Sequence, residues 1–170
     1  MQQWKCSTCN EFHQELLMDI AFEKPQQYLD INSEERGTRI WVDAESNTDL
    51  CIIDESIFLI RSFLPLKVED GRFFRFGVWV KVAKEDFLIY YKTQWNLEDP
   101  PTFSGEIANL IPGYSQLEKL QVDVQLIEYT DRPAIIIHSS EHQLAIEQRV
   151  GITLIRVHEI IQTCLPKWFG

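Results

Sequence analysis

A chain of 170 residues, 45% hydrophobic and 25% charged, has the size and make-up of one globular domain that buries its own core. Its 26 acidic and 16 basic residues give a formal net charge of −10; phosphate backbones repel such a surface, which argues against nucleic acid and leaves room for a basic protein partner. No apolar run approaches the roughly 20 residues of a membrane helix, and Met1-Gln2-Gln3-Trp4-Lys5 lacks the basic-then-apolar pattern of a secretion signal, so a cytoplasmic protein with reduced thiols and no membrane partner is expected.

Residues 1–13 carry Cys6-Ser7-Thr8-Cys9, then Glu11 and His13. The Cys-x2-Cys spacing bends a chain into a knuckle between two short extended pieces and suits Zn²⁺, which takes thiolate and imidazole ligands in a tetrahedron. Cys6, Cys9 and His13 are therefore the candidate metal ligands. The fourth place falls to Cys51, His142, His138, a carboxylate or water; four protein ligands make a structural site, and three plus water make a catalytic type of site. A lone Cys-x2-Cys without a second half is also compatible with two surface thiols, and no βαβ pattern supports a thioredoxin-type role.

Residues 14–48 are polar and weakly periodic. Pro25 stands at the first position of a helical turn, Ser33-Glu34-Glu35-Arg36 reads as another turn capped by Ser33, and Arg39 to Val42 as a short strand. From Asp49 to Val82 the chain is nearly all β-branched, aromatic or leucine residues. It is broken only at Asp54-Glu55-Ser56 and Glu69-Asp70-Gly71, so it reads as three successive strands. The middle one is apolar on both faces, with Pro65 expected at its exit or at a bulge. In the third, Phe74, Phe76, Val78, Val80 and Val82 share one face. Arg75, Gly77, Trp79 and Lys81 share a half-exposed one.

Lys84 to Trp95 switches to helical spacing, with Phe87, Leu88, Tyr91 and Trp95 on one stripe. Strands follow at Phe103 to Leu110, Leu120 to Tyr129 and Ala134 to His138. Ser140 and Gln143 then form a capping box for a helix running to Val150 and stopped by Gly151. A last helix spans Thr153 to Leu165, with Leu154, Val157, Ile161, Cys164 and Leu165 as its apolar stripe. Strands in hairpin-like succession with helices at the ends predict a single α+β domain: a knuckle over 1–13, a mainly antiparallel sheet with one inserted helix over 49–138, and helices packed on it over 140–165.

The motifs CSTCNEFH, DLCIID, FLIR, FGVWV, LIPGY and HQLAIEQRVGIT, in this order from Cys6 to about Val157, resemble the bacterial domain of unknown function 2199 family. The chain has Asn10, Ser62 and Gln143 where that family tends to carry Gly, Gly and Pro, and none of these departures touches a Cys or His. The resemblance implies a bacterial cytoplasmic protein. It implies no activity.

Three further residues are binding candidates. Arg61 lies mid-strand in the apolar block. A buried guanidinium needs a partner, so it is either the floor of an anion pocket or one half of a salt bridge to Asp49 or Asp54. His142, beside Glu141 and five residues before Glu147, is placed in the first turn of a helix, where the dipole favours its neutral form as ligand or base, or else it is a polar helix start. Trp79 sits either beneath a helix or in a contact patch. His138 reads as a satisfied strand-end residue, His158 as solvent-facing, and Cys51 and Cys164 as small core residues. No nucleophile elbow, phosphate-cradling loop, HExxH or dinucleotide fingerprint is present. The expectation is a non-enzymatic binding or interaction protein with a candidate structural zinc, one version being an immunity-type protein that neutralises a basic partner. The alternative is a small metal-dependent enzyme in which Cys6, Cys9 and His13 hold the ion and His142 or Glu147 serves as acid/base.

Overall fold

The computed structural model describes residues 4–5, 12–13, 16–43, 49–93, 101–126, 132–138 and 141–165. Its centre is a long hairpin, β6 (Ile57–Lys67) and β7 (Phe73–Val82), paired in register from Phe58↔Val82 to Lys67↔Phe73. The turn between them is closed by Val68 N–H to Arg72 O and by Gly71 at φ 89°, a conformation that only glycine adopts freely.

Both long strands divide their outer edges between two partners. Along β6, β5 (Leu50–Ile53) pairs with Ile57–Ile60, and β10 (Ala134–Ile137) joins in parallel at Phe63. Along β7, β3 (Asp19–Ala21) pairs in parallel with Arg75–Gly77, and β8 (Thr102–Ile107) pairs with Val80–Val82. With β9 (Gln121–Gln125) between β8 and β10, the strands β6-β7-β8-β9-β10 close into a five-stranded barrel. β5 continues on one side to β4 (Ile40–Val42), the last strand of the sheet there, and β3 flanks the other. The fold is α+β as expected. The sheet is mixed rather than purely antiparallel, because β3 and β10 both enter in parallel.

Alternation along β6 and β7 builds two cores. Ile60, Leu64, Leu66, Phe74, Phe76, Val78 and Val80 fill the barrel, together with Val122, Val124 and Ile135. On the other face Cys51, Ile53, Leu59 and Trp79 form a second cluster with Ile31 and Ala108. A strap covers this cluster, made of α1 (Gln26–Leu29), which contributes Tyr28, and the chain on to Ile31; α2 (Arg36–Arg39) follows it. Pro65 neither ends the strand nor bulges it. The N–H groups of Arg61 and Phe63 point away from β7, to Asp49 O and Pro133 O, so the same alternation aims the missing Pro65 donor away from the hairpin ladder.

Helix α3 (Lys84–Thr93) covers the end of the barrel, with Phe87 tilted against Phe58 at 5.4 Å. That contact turns the buried row to Phe87 and Tyr90, and Leu88 and Tyr91, expected inside, are exposed; Trp95 lies outside the described residues. Helix α4 (Gln143–Val150) ends at Gly151 at φ 89°, and α5 (Leu154–Cys164) is capped by the Thr153 hydroxyl. Between them Ile152 bridges Val68 and exchanges hydrogen bonds with Lys67 O and Glu69 N. The amide of Gln148 accepts from Ile137 N and donates to Ile135 O, completing β10 where its pairing with β6 is shortest. Two-residue strands β1 (Trp4–Lys5) and β2 (Phe12–His13) pair antiparallel; Cys6 and Cys9 lie outside the described residues, and so does Ser140, the expected helix cap. Among the described residues no helix is long and apolar enough to cross a membrane.

Candidate functional site

Two of the sequence-selected binding residues meet. Arg61 and Trp79 stand directly opposite each other in the β6–β7 ladder, on the face away from the barrel interior. Both sit where the outer edge of their strand changes partner: β5 gives way to β10 beside Arg61, and β3 to β8 beside Trp79.

The Trp79 fork is filled. Its backbone N–H donates to Asn109 Oδ1 at 2.7 Å, Asn109 Nδ2 donates to Lys24 O, and the indole Nε1 donates to Phe22 O at 3.2 Å. Trp79 is fully buried beneath the strap and offers no contact patch. The half-exposed face read from Arg75, Trp79 and Lys81 is exposed only at its two ends. Residues 22–31 supply the cover, and their polar sequence carries no signal of it.

The Arg61 fork is built differently. Asp49, just before β5, accepts at Oδ1 from Nε of Arg132 at 3.0 Å, and Nη2 of Arg132 stands at an ion-pair distance of 3.0 Å from the same oxygen. Arg61 Nη1 stands 3.9 Å from the same oxygen, an ion-pair distance but too long for a hydrogen bond. Burial, and next Arg132, lower the pKa of the Arg61 guanidinium, while Asp49 opposes them. Asp54, the other partner offered by the sequence, is taken by Arg39: Nε and Nη2 reach its two oxygens at 2.7 Å each. Asp54 and Glu55 have φ of 50° and 55°, so the β5–β6 turn is left-handed at two non-glycine positions, and the fork of Arg39 ties it to β4's entry.

His142 is the N-cap of α4, not a residue of its first turn. Its Nδ1 accepts from Leu144 N at 3.1 Å, and Nε2 lies 2.6 Å from Ser115 O. A carbonyl only accepts, so Nε2 carries the proton and the ring is neutral. Both nitrogens are engaged within the chain.

One turn along α4, Glu147 is buried in a network that sequence reasoning missed. Its Oε1 accepts from Arg156 Nε at 2.8 Å and from Gln143 Nε2 at 2.9 Å, and its Oε2 accepts from the Tyr114 hydroxyl. Arg156 reaches on to Glu159 at 3.1 Å and to Tyr114 Oη at 3.3 Å. Burial and Glu147 raise the pKa of the Tyr114 hydroxyl, and Arg156 opposes them. A signal existed: Glu147 is three residues after Leu144, on the buried stripe of α4, where a carboxylate requires a partner. Beyond Gln143 on the same helix, its partners Tyr114 and Arg156 lie 33 residues before it and nine after it, and spacing does not reveal them.

His138 is exposed and pairs with Asp123 at 2.7 Å. His158, expected to face solvent, is fully buried. It follows Val157 and precedes Ile161 by three, so it falls on the α5 stripe. Cys51 is fully buried, and burial pushes its thiol up to about 11 against the opposing charge of Lys24. Cys164 is half-buried. Among the described residues no three His, Cys, Asp or Glu side chains are grouped to hold a metal, and the side chain of His13 is not among those described.

A family model for an uncharacterized protein conserved in bacteria, domain of unknown function 2199, matches residues 5–152. The chain belongs to this family. The matched stretch holds the whole barrel and reaches both polar clusters, taking in Asp49, Arg61, Arg132, Tyr114 and Glu147, and stops at Ile152. Arg156 and the rest of α5 therefore lie beyond the family match. No curated protein and no solved structure matches the chain.

Proposed function

We propose that this member of the family is a non-enzymatic cytoplasmic binding protein that engages a partner through the face around Trp41 and Tyr91. One observation carries the reading. Trp41 of β4 and Tyr91 of α3 meet edge to face at 6.4 Å while remaining 43% and 44% exposed. Aromatic pairs of this kind are normally buried, and exposed ones are enriched at contact surfaces. Leu88, one turn before Tyr91, is exposed beside them, and β4 is the last strand on its side of the sheet. The net charge of −10 favours a basic partner, as for an immunity-type protein.

The metal-dependent enzyme has less support. Its acid/base candidates, His142 and Glu147, are both engaged by internal partners, and general acid/base work needs a group within reach of substrate. A structural zinc on Cys6, Cys9 and His13 fits the binding reading as a support for the N-terminus, and elemental analysis of untagged protein should then find one zinc per chain.

The test compares wild-type protein with Trp41→Ala and Tyr91→Ala as immobilised bait in lysate of the source bacterium. Capture of the same basic protein by wild type, lost in both variants at unchanged melting temperature, is the expected result. Capture that is equal in all three, or no capture by wild type, overturns the reading.

A further inference from the structure

We propose that β4 is a docking edge for an extended, basic strand of the partner, which adds to the sheet by main-chain pairing with Val42. The proposal rests on the reading above, because Trp41 is the middle residue of β4. In the β4–β5 ladder, Arg39 O accepts from Asp54 N and Asp43 N donates to Leu50 O. Main-chain groups of alternate residues in an antiparallel pair point to opposite edges, so those of Ile40 and Val42 point away from β5. The Ile40 N–H is taken by Arg36 O, in the last turn of α2. Among the described residues, none pairs with Ile40 O or with the N–H and C=O of Val42.

Side chains and charge set the occupant. β4 reads Ile40-Trp41-Val42, with no charge, proline or bulge to blunt its edge. Ile40 and Val42 lean on the second cluster, whereas Trp41 stands on the opposite face with Tyr91. An added strand therefore places one set of alternate side chains beside Trp41 and the other beside Ile40 and Val42. At the entry to β4, the exposed carboxylates of Glu34, Glu35, Asp54 and Glu55 outnumber the guanidiniums of Arg36 and Arg39. Arg39 already serves two of them. The excess is acidic, as is the chain as a whole. It favours lysine or arginine on the incoming strand and disfavours a second copy of this chain, which would bring the same carboxylates.

Main-chain bonds give the affinity in this mode, so a short peptide suffices as probe. It is acetyl-Lys-Val-Thr-Val-Lys-amide, titrated into ¹⁵N-labelled protein at constant ionic strength, with the peptide carrying Glu in place of both Lys as control. The readouts are the backbone amide of Val42 and the indole N–H of Trp41. Both should shift saturably with the lysine peptide and far less with the glutamate one. In Val42→Pro, which deletes an N–H that faces away from the ladder, the indole response to the lysine peptide should be lost at unchanged melting temperature. An indole that moves while the Val42 amide stays, or a Val42→Pro variant that answers as wild type does, overturns strand addition but leaves the Trp41–Tyr91 contact face standing. Two unmoved signals, equal responses to the two peptides, or a Val42 amide that shifts on concentrating the protein alone also overturn it. Failure of the contact-face reading shows instead in the lysate capture, which this titration does not use. Should Val42→Pro fail to fold, the wild-type spectra decide alone.

Discussion

Glu147 of α4 and Arg156 of α5 are joined through a 2.8 Å bond from Nε to Oε1, which ties the two helices to each other. The carboxylate is nearly buried while the guanidinium is a quarter exposed. Removing the cation leaves a buried charge with only Tyr114 and Gln143 as donors. Arg156→Met should therefore cost about 3 kcal/mol, the lower end for a broken buried pair because Arg156 is partly solvated. Tyr114→Phe should cost about 1–2 kcal/mol, a lost bond to a charged group. Both serve the same carboxylate, so the double variant should lose less than the sum. Urea midpoints at constant m-value check this, and losses below about 0.5 kcal/mol, the level of ordinary surface changes, would remove the network from the stability account.

Alkaline pH should weaken the fold through Cys51. In the unfolded chain the thiol titrates near its ordinary value of 9.0; burial raises it to about 11 in the folded state. Its contribution is fully present below pH 9, falls as pH rises from 9 to 11, and is gone above the folded value. Over that window the loss is at most about 2–3 kcal/mol, at 1.4 kcal/mol per unit. Burial raises the hydroxyls of Tyr90 and Tyr114 as well, so the decline continues beyond pH 10. Cys51→Ala should be flatter between pH 9 and 11 than wild type. Parallel slopes for the two proteins would show that Cys51 is not the titrating group.

Asp49 should matter more to the fold than either arginine it serves. Asp49→Asn leaves Arg61 and Arg132 facing each other across a neutral amide, and a loss of about 2–4 kcal/mol is expected. Arg61→Met, which replaces an unmatched guanidinium by an apolar side chain against Trp79 and Phe63, should be near neutral or stabilising. A melting series in which Arg61→Met is the more damaging of the two would contradict this order.

The long hairpin was legible because its signals are local. Alternation from Phe74 to Val82, the Gly71 turn and the Gly151 stop all concern residues within a few positions of one another, and the structure keeps them. The parallel entry of β3 and β10 was not, since a three- or four-residue strand shows no direction in its sequence. The half-exposed face read for Trp79 fails for a related reason, although burial beneath a helix was one of its two readings. Its neighbours Arg75 and Lys81 are polar, and the cover comes from Phe22 and Lys24, more than 50 residues away and bonded through backbone carbonyls that any residue supplies. His142 sits at the polar helix start that was one of its two readings. The Tyr114–Glu147–Arg156 network was visible only as a carboxylate on a buried stripe.

Gly105 and Gly37 give opposite predictions for the same substitution. Gly105 lies in β8 with its missing side chain directed at β7: a Cβ there would stand 2.5 Å from Val80 Cγ1 and 2.8 Å from Lys81 O. The second of these is backbone held in the β7–β8 ladder, so the strand itself would have to move. Gly105→Ala should therefore cost about 1–3 kcal/mol or more, as overpacking does, and open the pairs Val80↔Ile107 and Val82↔Gly105 first. Gly37 lies in α2 with nothing within 4 Å of the position a Cβ would take. Gly37→Ala should stabilise by about 0.4–1 kcal/mol, by restricting the unfolded chain. Hydrogen exchange separates the two effects. In Gly105→Ala, amides of the second half of β7 should lose protection beyond the global change, whereas in Gly37→Ala all slowly exchanging amides should gain it equally. Uniform loss in Gly105→Ala would mean that the barrel opens as one unit and that the β7–β8 seam is not its weak point.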